Sequence, residues 1–285
     1  MPVFRFLAPN IWMTIGTENI NANGNSTIVK VEEGERARAF RGAACAKEVG
    51  RMDDKVVKRY IAELNKGAKH PFPDMKKPVV LVGRGMSSAR FWERYPDGEY
   101  TRIGINPGSK PIYAEYAGSD EAFKGKRHAH ESDGHHGDEE SLSHMEAICT
   151  ADGHYFSQPT APSHFYCGPV LSRQRFSEAY KGPGTFHGCD KLARDEEPRS
   201  TLVYALNMVS GARADEVIMA GVDFDADGYT VGKDEPPDRM IRYNASLVLL
   251  LKTGLIDAAA ADTKVYFDKQ CRVSQDIHGR PLWPK

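Results

Sequence analysis

The segment Pro78–Val82 constrains the fold most, because it is apolar throughout and a glycine turn follows it directly. Strands that are buried on both faces of a parallel sheet have continuous apolar runs of this length, whereas half-exposed strands alternate. The turn Gly83-Arg84-Gly85 lets the backbone change direction, and Ser87 or Ser88 can cap a helix just beyond it. The order of strand, glycine turn and helix predicts a parallel βα unit, whose helix N-terminus favours an anion.

Other segments with strand or helix composition recur at regular intervals after this unit. Polar, turn-forming residues follow several of the strands, at the ends where ligands bind in open parallel sheets. Strands that alternate with helices at this spacing predict an α/β fold, with a Rossmann-like, mainly parallel sheet flanked by helices. We expect strands at Thr101–Ile105, Ala147–Thr150, Val217–Ala220 and Lys264–Phe267, and helices at about residues 200–210 and 240–253.

The first 77 residues predict a small α+β appendage in front of this domain. Short strands are expected at residues 3–7 and 11–15, with a Pro-Asn turn between them. Turn formers dominate residues 21–25, and residues 26–31 have strand composition, which is typical of a hairpin. Apolar residues at helical spacing between Asp53 and Gly67 predict a helix. Residues 69–77 contain two prolines and no periodicity, which predicts a linker.

We therefore expect a domain boundary near residue 77. The Rossmann-like domain would extend over residues 78–285 and would carry one insertion. Residues 113–146 break the alternation of strands and helices and contain several histidines. This stretch is predicted to be an insertion on the protein surface.

Composition excludes several classes of protein. The net charge is -1, with 38 basic and 39 acidic residues, so no overall field attracts nucleic acid. The longest apolar run, residues 245–251, is far shorter than the ~20 residues of a membrane helix, and the N-terminus lacks a secretion signal. The five cysteines form no C-x-x-C pair, which indicates a reducing compartment. We expect a cytoplasmic protein or, for a viral chain, one in the host cytoplasm or the virion.

Three strand ends together resemble those of a known enzyme family. They are Val79–Ser87, Ile105-Asn106 and Ala220–Phe224, and the segment from Ser200 to Phe224 matches without a gap. The set resembles the bacterial CMP-sialic-acid-dependent sialyltransferases and the related 6-hydroxymethylpterin diphosphokinase-like proteins, over about residues 78–274. The resemblance implies a Rossmann-like fold, a transferase activity and a nucleotide-sugar donor of the CMP or UDP type.

The resemblance also implies which residues hold the donor. In that family the glycine turn and the asparagine after the second strand hold the nucleotide, and a Ser/Thr pair at a helix start contacts the donor. Arg84 stands where the sialyltransferases have an asparagine, and a guanidinium there can pair with phosphate oxygens. Residues 151–156 resemble the third strand end more loosely. The predicted donor-binding residues are Gly83, Arg84, Gly85, Ser87, Asn106, Asp152, Gly153, Ser200 and Thr201.

The candidates for catalysis depart from the family pattern. The sialyltransferases place a catalytic histidine between the strand end that matches Ala220–Phe224 and the last helix, but no histidine lies between His187 and His278. His154 follows a predicted strand end and is our replacement candidate for the general base. Asp223 and Asp225 follow a buried strand, where a carboxylate needs solvent or polar partners. A structural bond from backbone N–H groups to Asp223 fits its position as well as a catalytic role.

Two patterns bear on metal binding. The stretch Asp223–Gly228 has the alternating aspartates of a calcium loop, but Asp234 stands where that loop needs a glutamate. We therefore reject an EF-hand and keep Mg²⁺, which would suit a diphosphate donor. The histidines between His128 and His136 lack the cysteine or His-x-x-x-His partners of common zinc sites, so zinc is not expected. A metal-dependent hydrolase built on them is a minor hypothesis.

These observations lead to two main hypotheses. The first is a glycosyltransferase-like transferase that takes a nucleotide-sugar donor and an acceptor hydroxyl, which Asp223 or His154 would deprotonate. The second is a catalytically inactive Rossmann-like protein that acts as a structural or docking component of a larger assembly, such as a phage particle, through residues 1–77. Apolar segments in those residues, which the resemblance does not cover, favour the second hypothesis.

Overall fold

The computed structural model describes residues 2–3, 16–20, 26–29, 52–107, 139–157, 166–194, 200–222, 251 and 254–271. The catalytic candidates Asp223 and Asp225 lie outside the described residues, as do residues 113–138 of the predicted histidine-rich insertion and most of the helix predicted at 240–253. No helix within the described residues is both long enough and apolar enough to span a bilayer.

A small antiparallel sheet is formed by β1 (Pro2–Val3), β2 (Gly16–Ile20) and β3 (Ser26–Val29). The strand β2 lies in the middle and pairs with β3 from Thr17 opposite Val29 to Ile20 opposite Ser26. The two strands flank residues 21–25, so the predicted hairpin is confirmed. The strand before the turn is Gly16–Ile20, whereas the strand composition predicted it within residues 3–15.

A larger sheet has seven strands. They are β4 (Val79–Val82), β5 (Thr101–Ile105), β6 (Ala147–Thr150), β7 (Pro169–Ser172), β8 (Thr185–Gly188), β9 (Glu216–Ala220) and β10 (Lys264–Phe267). The helices are α1 (Asp54–Asn65), α2 (Phe91–Arg94), α3 (Glu139–Ser143), α4 (His154–Ser157), α5 (Asp190–Ala193) and α6 (Thr201–Gly211). Residues 254–260 are also helical, and short 3-10 turns occur at Met86–Ser88 and Gln174–Phe176.

The seven strands are all parallel, in the order β10-β9-β4-β5-β6-β7-β8. This sheet confirms the predicted Rossmann-like α/β fold. From β4 to β8 each strand lies beside the one before it, and then α6 carries the chain back to β9 on the other side of β4. The order in which the chain adds strands therefore reverses between β4 and β9, and open α/β folds generally bind ligands at such a point.

Helices cover both faces of the sheet because its central strands are apolar on both sides. Every residue of β4 is buried, as the continuous apolar run predicted. On one face Leu81 packs in a core with residues of α1, α6 and the segment 254–260. On the other face Val80 packs in a core with Phe91 of α2 and Leu142 of α3. Each residue of α6 is buried, and the helix lies over β4, β5 and β6.

The helix α1 and the segment after it pack on this sheet. Asp53 caps the helix by accepting the Lys55 N–H at 2.8 Å, as the predicted start requires. Tyr60 Oη donates to the carbonyl of Gly188 at the end of β8, at 2.5 Å. Phe72 and Met75, within the predicted linker, are buried in the core of the sheet. Residues 52–75 thus contribute to the core, and the boundary expected at residue 77 stays a prediction.

Candidate functional site

Two of the predicted donor-binding residues meet at the carboxyl edge of the sheet. Asn106, which follows β5, donates from Nδ2 to Thr201 Oγ1 at 3.0 Å, across 95 positions of sequence. The backbone N–H of Ala151, which follows β6, donates to the same oxygen at 3.2 Å. Thr201 is the first residue of α6 and is only 7% exposed. These two hydrogen bonds fix the start of α6 above the ends of β5 and β6.

Asn106 has a backbone conformation that suits a strand end at a binding edge. Its φ is +43°, in the left-handed region that asparagine adopts more readily than most residues. Its N–H donates to the carbonyl of Cys149 at 3.0 Å, which continues the pairing of β5 with β6 for one more residue. The amide Oδ1 is enclosed and makes no hydrogen bond to the described residues. Two hydrogen bonds therefore hold Asn106 in place, one from its backbone N–H and one from its side-chain Nδ2.

Ser200 precedes α6 and occupies its N-cap position. Its carbonyl accepts the first helical N–H, from Tyr204, at 3.0 Å, whereas its hydroxyl makes no capping hydrogen bond. A helix N-terminus carries unbonded N–H groups and a partial positive charge. The contacts of Thr201 place this positive end at the carboxyl edge of β5 and β6. The predicted pair Ser200 and Thr201 therefore lies beside Asn106.

The glycine turn after β4 lies at the neighbouring strand end, against the loop that follows β9. The N–H of Gly83 donates to the carbonyl of Ala220 at 2.6 Å, and the N–H of Gly85 donates to that of Gly221 at 2.8 Å. A Cβ on Gly83 would lie 2.5 Å from the Gly221 oxygen, so this close approach requires glycine. The Ser87 hydroxyl accepts the Gly221 N–H at 3.1 Å. The glycine turn and Ser87, which were predicted to hold the donor, thus form hydrogen bonds that connect the end of β4 with the end of β9.

A buried ion pair extends this connection to the end of β10. The carboxylate of Asp268 is fully buried and accepts Arg94 Nε at 2.9 Å and Tyr95 Oη at 2.7 Å. The Arg94 guanidinium also donates to the Ser87 carbonyl at 2.7 Å, and the Ser87 hydroxyl lies 3.2 Å from Cys271 Sγ. Burial and the Asp268 carboxylate both raise the pKa of Tyr95, so this phenol stays protonated. Ser87 thus belongs to a network that stabilises the β4, β9 and β10 ends.

The loop after β6 carries three more predicted residues. Asp152 is exposed at the carboxyl edge, and its N–H donates to Thr150 Oγ1 at 3.4 Å. Gly153 packs against an aromatic ring, because a Cβ there would lie 2.6 Å from Phe176. His154 begins α4, and its role as general base stays a prediction, as do the roles of Asp223 and Asp225.

Sequence reasoning missed a polar cluster at the ends of β7 and β8. Arg173 follows β7 directly and is 4% exposed, with its Cζ 5.9 Å from the ring centroid of Tyr204. Tyr204 Oη donates to the Ser172 carbonyl at 2.8 Å and lies 3.3 Å from Asp190 Oδ1. Burial raises the pKa of Tyr204, which keeps the phenol a donor. The sequence does contain a signal for this cluster, because the polar pair Ser172-Arg173 follows a short apolar run. The same pattern was used to find the ends of the predicted strands.

The described residues contain no cluster of three or more histidine, cysteine, aspartate or glutamate side chains that could hold a metal ion. The aspartate-rich stretch 223–228 and the histidines 128–136 lie outside that search. Binding of Mg²⁺ by the aspartates of residues 223–228 stays a prediction from the sequence.

Comparisons with known proteins add little to this geometry. No family model matches the chain, and no curated protein matches it. Among solved structures, the sialyltransferase CST-II in complex with CMP is similar, with 11% identity and a TM-score of 0.36. The alignment covers 73% of this chain and 86% of the sialyltransferase chain. A likeness this distant carries no argument about function, so the functional argument depends on the residues of the site.

Proposed function

We propose that this protein is a glycosyltransferase-like transferase that binds a nucleotide-sugar donor at the carboxyl edge of β5 and β6. The hydrogen bond from Asn106 Nδ2 to Thr201 Oγ1, at 3.0 Å, is the observation that carries the proposal. It joins two residues that the sequence resemblance assigns to the donor, although the sequence does not show that they are in contact. Ligands of open parallel sheets bind beyond this edge of the strands.

The donor would meet groups of complementary chemistry at this edge. The N-terminus of α6 and the Ser200 hydroxyl would face the phosphate, because a helix N-terminus stabilises negative charge. The exposed carboxylate of Asp152 can accept hydrogen bonds from ribose or sugar hydroxyls. Arg84, half-buried in the turn after β4, remains a proposed phosphate contact. Gly83, Gly85 and Gly153 would shape the edge through close packing.

The reaction would transfer the sugar from its nucleotide to an acceptor hydroxyl. The acceptor oxygen forms a bond to the anomeric carbon, and the bond from that carbon to the phosphate oxygen of the donor breaks. A base, for which Asp223, Asp225 and His154 are the candidates, takes the proton of the acceptor. The leaving nucleotide gains negative charge, which the positive end of α6 would stabilise. Mg²⁺ would assist in the same way with a diphosphate donor.

Thermal denaturation with nucleotides tests this proposal directly. CMP, UDP, GDP, ADP and their sugars are added with and without Mg²⁺, and a ligand that binds only the folded state raises Tm by mass action. CMP and UDP are included because the sequence resemblance implies a donor of the CMP or UDP type. We expect a shift with at least one nucleotide-sugar, and we expect Asn106→Ala to abolish it.

The matched control is Asn207→Ala, which makes the same change six positions after Thr201 on α6, farther along the helix from the carboxyl edge. That variant should keep the full ligand-induced shift even if its own Tm is lower. Absence of a shift with every nucleotide would contradict the proposed function. If Asn106→Ala and Asn207→Ala lost the shift equally, Asn106 would have no specific role in binding the donor.

A further inference from the structure

The backbone that follows β5 has an unfavourable conformation at the edge where the donor is proposed to bind. Asn106 has a φ of +43° and precedes Pro107, whose ring favours an extended backbone in the residue before it. A left-handed conformation at this position persists only where neighbouring contacts hold it. The N–H of Asn106 is held by the carbonyl of Cys149 in β6, at 3.0 Å. On its other side, Asn106 depends on the contacts of Pro107.

Tyr155 supplies such a contact from the loop after the neighbouring strand. Pro107 is buried and has no backbone N–H, so its carbonyl is the hydrogen-bonding group that its backbone presents. Tyr155 Oη donates to this carbonyl at 2.7 Å, across 48 positions of sequence. A buried carbonyl without a partner costs free energy, so this hydrogen bond stabilises the observed conformation. The phenol therefore fixes the carbonyl of the residue next to Asn106.

The backbone of Tyr155 is held by the short helix in which it lies. Its N–H donates to the Asp152 carbonyl at 3.1 Å, in the turn that begins α4. The next residue, Phe156, is 4% exposed and packs with Phe176, with ring centroids 5.6 Å apart. Phe156 belongs to the core on the face of the sheet that α2 and α3 cover. The hydroxyl of Tyr155 thus connects a packed element to the strand end that carries Asn106.

Three hydrogen bonds and two short stretches of chain form a closed circuit at this edge. Asn106 and Ala151 both donate to Thr201 Oγ1, at 3.0 and 3.2 Å. Four residues after Ala151, Tyr155 donates to Pro107, which adjoins Asn106. Each hydrogen bond in the circuit limits the movement of the groups that form the other two. Removal of the Tyr155 hydroxyl therefore leaves the backbone of Asn106 with greater freedom.

We propose that Tyr155 is a positioning residue of the donor site, because its hydroxyl holds Asn106 in the conformation that contacts the donor. The inference rests on the proposed function, in which Asn106 binds the donor. Tyr155 acts through Pro107 and needs no contact with the donor itself. Because a preorganised contact lowers the entropic cost of binding, loss of the hydroxyl should weaken donor binding without abolishing it.

Titration calorimetry with Tyr155→Phe tests this role, since phenylalanine keeps the ring and removes only the hydroxyl. The wild type and the variant are titrated with CMP, UDP and their sugars. We expect the variant to bind about 3- to 10-fold more weakly, which is the effect of one neutral hydrogen bond. The matched control is Tyr166→Phe, because Tyr166 Oη also donates to a backbone carbonyl, that of Met145 at 2.6 Å. Met145 precedes β6, at the amino edge of the sheet, so this control should keep the wild-type affinity.

The side-chain amide of Asn106 gives a second measurement, which needs no ligand. In isotope-labelled protein its N–H signals are identified by NMR from their absence in Asn106→Ala. We expect these protons to exchange with water at least about threefold faster in Tyr155→Phe than in the wild type. Their exchange should be unchanged in Tyr166→Phe. A tyrosine that only stabilises the fold would lower Tm without this local effect on Asn106.

The outcomes separate this inference from the proposed function. If the wild type and Tyr155→Phe bind a nucleotide equally well, the inference is overturned, while the transferase proposal stands. Equal weakening in Tyr155→Phe and Tyr166→Phe would overturn it as well, because the effect would then be one of general stability. Weaker binding with an unchanged Asn106 amide would show that Tyr155 acts by another route, which also contradicts the inference.

A wild type that binds no nucleotide would instead overturn the proposed function. The amide measurement then decides what is left of the inference, because it is made without a ligand. Faster exchange in Tyr155→Phe alone would retain Tyr155 as the residue that positions Asn106, whereas unchanged exchange would overturn that role too.

Discussion

At the level of single residues, a buried histidine couples the stability of the sheet to pH. His187 lies in β8 and is 1% exposed, with Nε2 3.1 Å from the carbonyl of His70. With Nε2 as the donor, Nδ1 carries no proton, and it makes no hydrogen bond to the described residues. Phe72 contacts the ring edge-on, with centroids 5.8 Å apart. Burial lowers the pKa of His187 below its ordinary value of 6.5, although the His70 hydrogen bond opposes the shift.

The sign of this pH dependence follows from the two pKa values. Because the folded pKa is below 6.5, the unfolded chain binds a proton at a pH where folded His187 does not. Acid therefore favours unfolding, and the free energy of unfolding falls as pH decreases below about 6.5 toward the folded pKa. The slope contributed by one proton is at most about 1.4 kcal/mol per pH unit. Above pH 6.5 this residue adds no slope.

Urea denaturation of the wild type and of His187→Gln at several pH values between 5 and 8 measures this term. Glutamine can still donate to the His70 carbonyl but does not titrate, so the variant should show a smaller slope below pH 6.5. His144→Gln is the matched control, because His144 is partly exposed and stacks on Trp92. A slope that is unchanged in His187→Gln would show that other groups cause the acid sensitivity.

The sequence indicated some residues of the candidate site and missed others, for reasons that are visible in their surroundings. The donor roles of Asn106 and Thr201 come from the family resemblance, and each residue lies at the boundary of an element that composition predicts. The partners of the Gly83 and Gly85 N–H groups could not be predicted, since they come from β9, more than 130 positions away. Arg173 was missed because the strand before it was not predicted.

At the level of elements, β7 and β8 are strands that residue composition does not predict. Pro169 begins β7, and a proline usually counts against a strand, although the first position tolerates it because no ladder N–H is lost there. The strand β8 has the sequence Thr-Phe-His-Gly, in which one residue of four is strongly apolar. It forms at the sheet edge, where Tyr60 and the segment around His70 contact it. Tertiary contacts therefore determine β8, whereas β4, β5, β6 and β9 are evident from composition.

The connection between the β4 and β9 ends makes a prediction about the glycine turn. Because the Gly83 and Gly85 N–H groups donate to Ala220 and Gly221, they should exchange slowly with solvent in the ligand-free protein. We expect their hydrogen exchange, followed by NMR, to be at least about tenfold slower than that of Gly98, an exposed glycine. Fast exchange that slows only when a nucleotide is added would instead indicate that the turn binds the donor.

At the level of the whole molecule, the core of the sheet begins earlier in the sequence than residue 78. Val57, Phe72 and Met75 are buried in the same core as Leu81 and Leu206. Side-chain and backbone hydrogen bonds add to this packing, among them those of His70 with Thr185 and His187. Large apolar side chains in a core each contribute about 2–5 kcal/mol relative to alanine. The loss of three such residues would lower the free energy of unfolding by an amount comparable to the whole stability of a typical protein, about 5–15 kcal/mol.

Two truncations therefore separate the docking hypothesis from folding. Removal of residues 1–51 should leave the cooperative unfolding transition of the sheet in place, because residues 52–77 keep their contacts with it. Removal of residues 1–77 should abolish that transition or lower its midpoint by more than about 10 °C, since it exposes the core. Circular dichroism during heating measures both variants. A stable protein after removal of residues 1–77 would support a domain boundary at residue 77, and assembly lost together with residues 1–51 alone would identify them as the docking module.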